Sequence, residues 1–194
     1  MTIDAIGVTI LVTQALEKHG VPYFIGGSLA STFYGMVRTT QDSDIIADLK
    51  SEHIPYFLAE LNAEFFIDDL MIAHAIERHS SFNIIHRESM FKVDVFVPRP
   101  RAFITSQFVR ARKENLSSDP LMTAYMTSPE DILLAKLEWY RMGGEVSERQ
   151  WRDVLGVLKV QAGVLEIEYL HRMAQELQVD DLVERAFKEA GLTQ

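Results

Sequence analysis

Seven residues near the middle of the chain, Phe91-Lys92-Val93-Asp94-Val95-Phe96-Val97, constrain the fold more than any other stretch. Apolar side chains alternate there, so Phe91, Val93, Val95 and Val97 share one face of a strand, while Asp94 lies on the other between Lys92 and Phe96. A carboxylate in mid-strand is disfavoured both by propensity and by desolvation. It needs a partner: a metal ion, or a cation such as Lys92 or an arginine.

The rest of the chain supplies what such a strand packs against. At 194 residues with 47% apolar content, it can form one domain with a real core, or one domain with a helical appendage. No run of about 18 apolar residues points to a membrane span. The N-terminus, Met1-Thr2-Ile3-Asp4, lacks a basic region followed by an apolar run, so no secretory leader and a cytoplasmic location are expected. With no cysteine, thiolate chemistry and disulfides are excluded. The net charge of −9 argues against a dedicated non-specific DNA binder. Within this acidic chain, residues 87–113 carry seven cations, Arg87, Lys92, Arg99, Arg101, Arg110, Arg112 and Lys113, against Glu88 and Asp94. That stretch is either a solvated face or a site for a polyanion such as a triphosphate or RNA.

Periodicity divides the chain into an α/β half and a helical half, with the break near Pro120 to Ser128. The expected elements of the first half are a helix from about Asp4 to His19 stopped at Gly20, a buried strand Tyr23-Phe24-Ile25, and a helix from Ser28, as N-cap, to Tyr34. A strand Asp42–Leu49, helices near 52–61 and 70–77, and strands 81–86 and 91–97 follow. A basic helix is expected up to Lys113, then a loop 115–120 and a short strand 121–126. Ser128-Pro129-Glu130-Asp131 opens the helical half with a cap, a proline at the first position and acids on the positive end. Ser147 with Gln150 makes a capping box for the next helix, and two more helices complete the tail. Trp139 and Trp151 read as core, and His74 and His79, five apart, lack metal spacing on a helix. The domains are taken as residues 1–127 and 128–194.

Three short motifs carry the chemistry. Gly26 and Gly27 let backbone N–H groups approach a ligand, and Ser28 at the following helix start adds a hydroxyl, which together favour phosphate. Asp42 and Asp44 project from one face of their strand, where two like charges need a neutralising partner. Mg²⁺ takes hard carboxylate oxygens and keeps other positions for water and phosphate. Asp94 is the third carboxylate. Arg38 stands in the loop entering the Asp42 strand and either contacts phosphate or pairs with an acidic neighbour. Lys136 sits in an apolar stripe with Ile132, Leu133, Trp139 and Tyr140, so its ammonium either snorkels out or points into a polar pocket, the second being favoured. Asp131 is equally explained as a helix-start acid.

Gly26-Gly27-Ser28, then Asp42-x-Asp44, then Asp94 in a later strand resembles the DNA polymerase β-like nucleotidyltransferase superfamily. The text Gly35 to Asp44, with Pro129-Glu130-Asp131, Lys136, Ser147, Gln150 and Asp153, is similar to AbiEii-type nucleotidyltransferases of abortive-infection and toxin–antitoxin systems. The resemblance spans residues 20–160. It implies a minimal nucleotidyltransferase fold of the α/β (α+β) class, a small mixed sheet flanked by helices, with a C-terminal helical region packed on the core. It implies a Mg²⁺-dependent enzyme moving a nucleoside monophosphate from a nucleoside triphosphate to a hydroxyl of RNA or tRNA, a protein or a small molecule, with a cognate antitoxin as a further partner. Asp42, Asp44 and Asp94 would bind two Mg²⁺ or provide the base; Gly26, Gly27, Ser28, Arg38 and Thr40 would hold the nucleotide; Lys136 would belong to the active site. The chain is short for the toxin group, and Ser43 stands where the superfamily often has an apolar residue. The alternatives are a phosphotransferase on the same fold and a non-catalytic nucleotide-binding or regulatory module.

Overall fold

The computed structural model describes residues 4–37 and 39–192. Helix α1 (Ala5–Lys18) starts where the Asp4 carboxylate accepts the Gly7 N–H at 2.8 Å, and it stops at His19 with Gly20 in the left-handed region. Strand β1 (Tyr23–Ile25) is buried throughout and runs into helix α2 (Gly27–Tyr34). Then come β2 (Asp42–Ala47), a 3₁₀ turn at Ser51–His53, α3 (Ile54–Leu61), β3 (Phe65–Phe66), α4 (Asp69–Arg78), β4 (Ser81–His86), β5 (Lys92–Phe96), α5 (Ala102–Arg110), β6 (Arg112–Ser118) and β7 (Leu121–Met126). The remainder is helical: α6 (Pro129–Met142), α7 (Glu148–Gln161), α8 (Ile167–Glu176) and α9 (Asp180–Ala190). Among the described residues, no helix is long and apolar enough to cross a membrane.

The chain forms two compact units: one runs to Ser28 and resumes over Thr40–Met126, and the other comprises Leu29–Thr39 and the chain from Thr127 on. The first unit is built on a seven-stranded mixed sheet in the order β3-β4-β5-β2-β1-β7-β6. Its β2–β5 and β1–β7 pairs are parallel, and the others are antiparallel. Alternation along β2, β4 and β5 sends Ser43, Ile45, Ala47, Phe82, Ile84, Val93 and Val95 to one face, where none exceeds 3% exposure. Helix α1 packs on β2 and β7, bringing its fully buried Val8, Val12 and Leu16, while α3 packs on α1. Burying this apolar face supplies the unit's main stabilisation, about 25 cal/mol per Å² of apolar surface. The opposite face carries Asp42, Asp44, Lys92 and Asp94.

The stretch 112–118 is a strand, not the end of a helix followed by a loop. Arg112, Lys113 and Glu114 show no apolar periodicity, but they pair with Met126, Tyr125 and Ala124 of β7. A charged edge strand of this kind takes its structure from its neighbour, and its charges discourage pairing with other chains.

In the second unit, the Ser128 hydroxyl accepts the Asp131 N–H and the Ser147 hydroxyl accepts the Gln150 N–H, so both expected caps form. Asp131 is fully buried and accepts a hydrogen bond from the Tyr169 hydroxyl at 2.5 Å, a tie between α6 and α8. Trp151 is buried and donates its indole N–H to Glu189 at 2.7 Å. Trp139, expected in the core, is 55% exposed: the buried stripe of α6 runs through Leu133, Leu137 and Tyr140 instead. Residues 29–39, expected in the first domain, go with this unit for a steric reason. A Cβ on Gly35 would lie 2.7 Å from the Ser31 carbonyl oxygen and 2.9 Å from the Val157 nitrogen, so glycine allows the chain to lie against α7. Gln161 adds a hydrogen bond to the Tyr34 carbonyl at 2.9 Å.

Ile45 is fully buried directly between the carboxylate-bearing positions and the helix layer. Ile45→Ala should lower unfolding free energy by about 2–5 kcal/mol in urea denaturation; a loss below about 1 kcal/mol would contradict its place in the core.

Candidate active site

The parallel pairing of β2 with β5 sets Asp42 opposite Lys92 and Asp44 opposite Asp94. Partners in register point to the same side, so three carboxylates and one ammonium occupy a two-by-two patch on the face away from the helix layer. Strand β4 adds Asn83 beside Asp94, on the same face. All four members of the patch are half-buried, reachable from solvent and yet set in an apolar sheet. Ser43, between the two aspartates in sequence, points the other way; it is fully buried and its hydroxyl has no hydrogen-bond partner among the described residues.

The Gly26-Gly27-Ser28 turn closes over Asp44. The Gly26 N–H donates to the Asp44 carbonyl at 2.9 Å, and the Ser28 N–H points at Asp44 Oδ2 from 3.4 Å. Gly27 has φ +54°, and a Cβ there would fall 1.7 Å from Asp44 Oδ2. Only glycine lets the backbone pass so close to the carboxylate. Ser28 does not cap α2: the helix begins at Gly27, and Ser28 contributes a backbone N–H from within its first turn. That first turn carries the positive end of the helix dipole, which favours negative charge at Asp44 and any phosphate brought there.

Thr40 acts on Asp42. Its hydroxyl donates to the Asp42 carbonyl at 2.7 Å and lies 3.3 Å from Asp42 Oδ1, so it positions that carboxylate. Lys92 Nζ stands 2.6 Å from Asp94 Oδ2. The hydrogen bond to Asp94 raises the Lys92 pKa above its ordinary value, with further help from the charges of Asp94, Asp42 and Asp44 and opposition from burial. The ammonium therefore stays charged within the field of all three carboxylates. Arg38 lies outside the described residues.

The donor set is chemically suited to a hard divalent cation. Asp42, Asp44 and Asp94 offer carboxylate oxygens only, and Mg²⁺ commonly takes one or two carboxylates and fills its remaining positions with water and phosphate. Among the described residues, no group of three or more acidic or histidine side chains is gathered tightly enough to hold a metal by itself. Asp94 is instead neutralised by Lys92. The geometry thus fits a cation at Asp42 and Asp44 that a nucleotide's phosphates complete, not a cage made wholly of protein.

Lys136 belongs to the second unit. Its side chain is 11% exposed, and its ammonium meets Asp153 Oδ2 at 2.8 Å, with the Ser31 hydroxyl 3.4 Å from the same oxygen. The ammonium points into a polar cluster and does not snorkel to solvent. The basic run Arg110-Ala111-Arg112-Lys113 is not one helical face: Arg110 ends α5, whereas Lys113 lies in β6, 3.2 Å from Glu17 and over the Tyr125 ring. Asn83 carries no signal in the sequence, because its place beside Asp94 depends on strand register alone.

Gly27→Ala forces a methyl group onto Asp44 at a left-handed backbone position. It should cost about 1–3 kcal/mol of stability in urea denaturation; an unchanged midpoint would show that the turn does not close over Asp44.

No protein-family model matches the chain, and no curated protein matches it. Solved structures do. An antigenic nucleotidyltransferase-like protein from Paracoccidioides brasiliensis superposes with a TM-score of 0.62 at 17% identity, over 98% of this chain and 93% of that one. The lincomycin-bound lincosamide antibiotic adenylyltransferase LnuA gives a TM-score of 0.52 at 15% identity, over 82% of this chain and 98% of that one. ANT(2")-Ia in complex with adenylyl-2"-tobramycin gives 0.52 at 9% identity, over 89% and 96%. With its mixed sheet, its glycine turn and its paired aspartate strands, the chain has the nucleotidyltransferase fold.

Proposed function

We propose that this protein is a nucleotidyltransferase that moves a nucleoside monophosphate from a nucleoside triphosphate to a hydroxyl acceptor. The observation that carries the reading is the register of β2 and β5, which sets Asp44 beside Asp94 under the Gly26-Gly27-Ser28 turn. Two proteins of similar fold support it by their own chemistry: LnuA is an antibiotic adenylyltransferase, and ANT(2")-Ia is seen with an adenylylated tobramycin.

In this reading Asp42 and Asp44 would hold Mg²⁺, with Thr40 fixing the orientation of Asp42. The metal, when bound, neutralises charge on the triphosphate and on the reacting oxygens. The backbone N–H groups of Gly27 and Ser28 turn to the phosphates, with the dipole of α2 behind them. Asp94, as Lys92 releases it, accepts the proton of the attacking hydroxyl, or would help to hold a second metal ion. A bond forms between the acceptor oxygen and the α-phosphorus, the bond from that phosphorus to the bridging oxygen breaks, and pyrophosphate leaves with the electron pair. Lys136, paired with Asp153, is a further active-site candidate on the strength of the family resemblance. The acceptor is an RNA or tRNA, a protein or a small hydroxyl compound; the toxin role and a cognate antitoxin rest on the similarity of residues 35–44 to the AbiEii group. A second reading, nucleotide binding without transfer, is favoured by one observation, the hold of Lys92 on Asp94.

The test supplies purified protein with Mg²⁺, cell extract and each nucleoside triphosphate labelled at the α phosphate. The expected result is a labelled product that resists removal of free nucleotide and falls by at least about a hundredfold in Asp44→Ala. Nuclease or protease digestion then identifies the acceptor. Equal labelling by the mutant, or transfer of a γ label alone, would overturn the proposal; nucleotide binding with no transfer would establish the second reading.

A further inference from the structure

Among the described residues Lys92 is the cation of the patch, and its placement is more specific than that of a surface lysine. It lies two residues before Asp94 on the same strand, hence on the same face, and its register partner across the parallel pair is Asp42. Its ammonium is 2.6 Å from Asp94 Oδ2, although its side chain is 41% exposed. The stem is therefore only partly packed, and a lysine ammonium on four flexible carbons can swing to another anion nearby. A divalent cation that takes Asp94 must displace this ammonium, and a polyanion brought to the patch offers the ammonium another partner.

We propose that Lys92 is a tethered counter-cation that competes with divalent metal for Asp94 and leaves it for the phosphates of an incoming nucleotide, so that metal and nucleotide load together. This inference rests on the active-site reading above. Before loading, Lys92 neutralises Asp94 and lowers the repulsion among the carboxylates. When the triphosphate arrives, the ammonium gains a more highly charged anion, and Asp94 is released to the metal or to the attacking hydroxyl. Binding of one ligand thereby favours the other by a reciprocal coupling.

The experiment measures Mn²⁺ binding to the full chain by calorimetry, in the wild type, Lys92→Gln, Lys92→Met, Lys92→Arg and Asp44→Asn, without nucleotide and with α,β-methylene-ATP. Lys92→Gln and Lys92→Met should bind Mn²⁺ alone roughly tenfold more tightly than the wild type, as expected when a competing unit charge is removed from a half-exposed site. Lys92→Arg should restore wild-type affinity. The nucleotide analogue should tighten Mn²⁺ binding in the wild type and much less in Lys92→Gln. Two neutral replacements of different shape guard against a folding defect in either. If Asp44→Asn loses Mn²⁺ while both neutral variants match the wild type, Lys92 does not compete and this inference falls alone. If the wild type binds no Mn²⁺ with or without the analogue, or Asp44→Asn binds it equally, the active-site reading falls and takes Lys92 with it.

Discussion

The parallel pairing of β2 with β5 is the constraint on which the site depends. A slip of β2 by one residue would turn Asp42 and Asp44 toward the helix layer, bring Ser43 out and separate both from Asp94. Burying two carboxylates in an apolar layer costs several kcal/mol each without partners, so the register is fixed as firmly by the charged face as by the apolar one. The apolar half of the argument is the run of fully or almost fully buried side chains at Ile45, Ala47, Ile84, Val93 and Val95. The core thus holds the aspartates in place without touching them.

Repulsion is managed differently at each carboxylate. Asp44 faces the N–H of Ser28 and the first turn of α2, Asp42 faces the Thr40 hydroxyl, and Asp94 faces the Lys92 ammonium. The Thr40 contact is long and the Lys92 contact is half-exposed, so neither is a strong lock on its carboxylate. The pair in the second unit contrasts with this. Lys136 and Asp153 are each about one-tenth exposed and meet at 2.8 Å, and breaking so buried a pair by removing one partner typically costs about 3–5 kcal/mol. Lys136 therefore contributes to the folding of its unit whatever further part it takes in chemistry.

Legibility in the sequence follows from where each element gets its stability. The alternation at 91–97, the caps at Ser128 and Ser147 and the stop at Gly20 are local signals, and each corresponds to an observed element. Strand β6 is polar and stable only through β7, so it reads as something else in isolation. Trp139 looks like core by spacing, yet spacing gives the stripe of a helix and not which side chain at its margin is covered. The aspartates were legible as a pattern, because a mid-strand carboxylate contradicts its surroundings. Lys92 was legible as one possible partner of Asp94, but the grouping of that pair with Asp42 and Asp44, and the presence of Asn83, were not, because register between distant strands is a tertiary property. Thr40 reads as a nucleotide contact, and its hydroxyl on Asp42 is what the sequence does not show.

The central claim is that the Asp42, Asp44 and Asp94 face receives a divalent cation together with a nucleoside triphosphate. It is tested most directly by anomalous diffraction at the manganese edge from crystals grown with Mn²⁺ and a non-hydrolysable triphosphate. The account predicts an anomalous peak on the carboxylates of Asp42 and Asp44, with phosphate density against the backbone of Gly27 and Ser28. A peak elsewhere, or nucleotide bound with no metal on these aspartates, would contradict it.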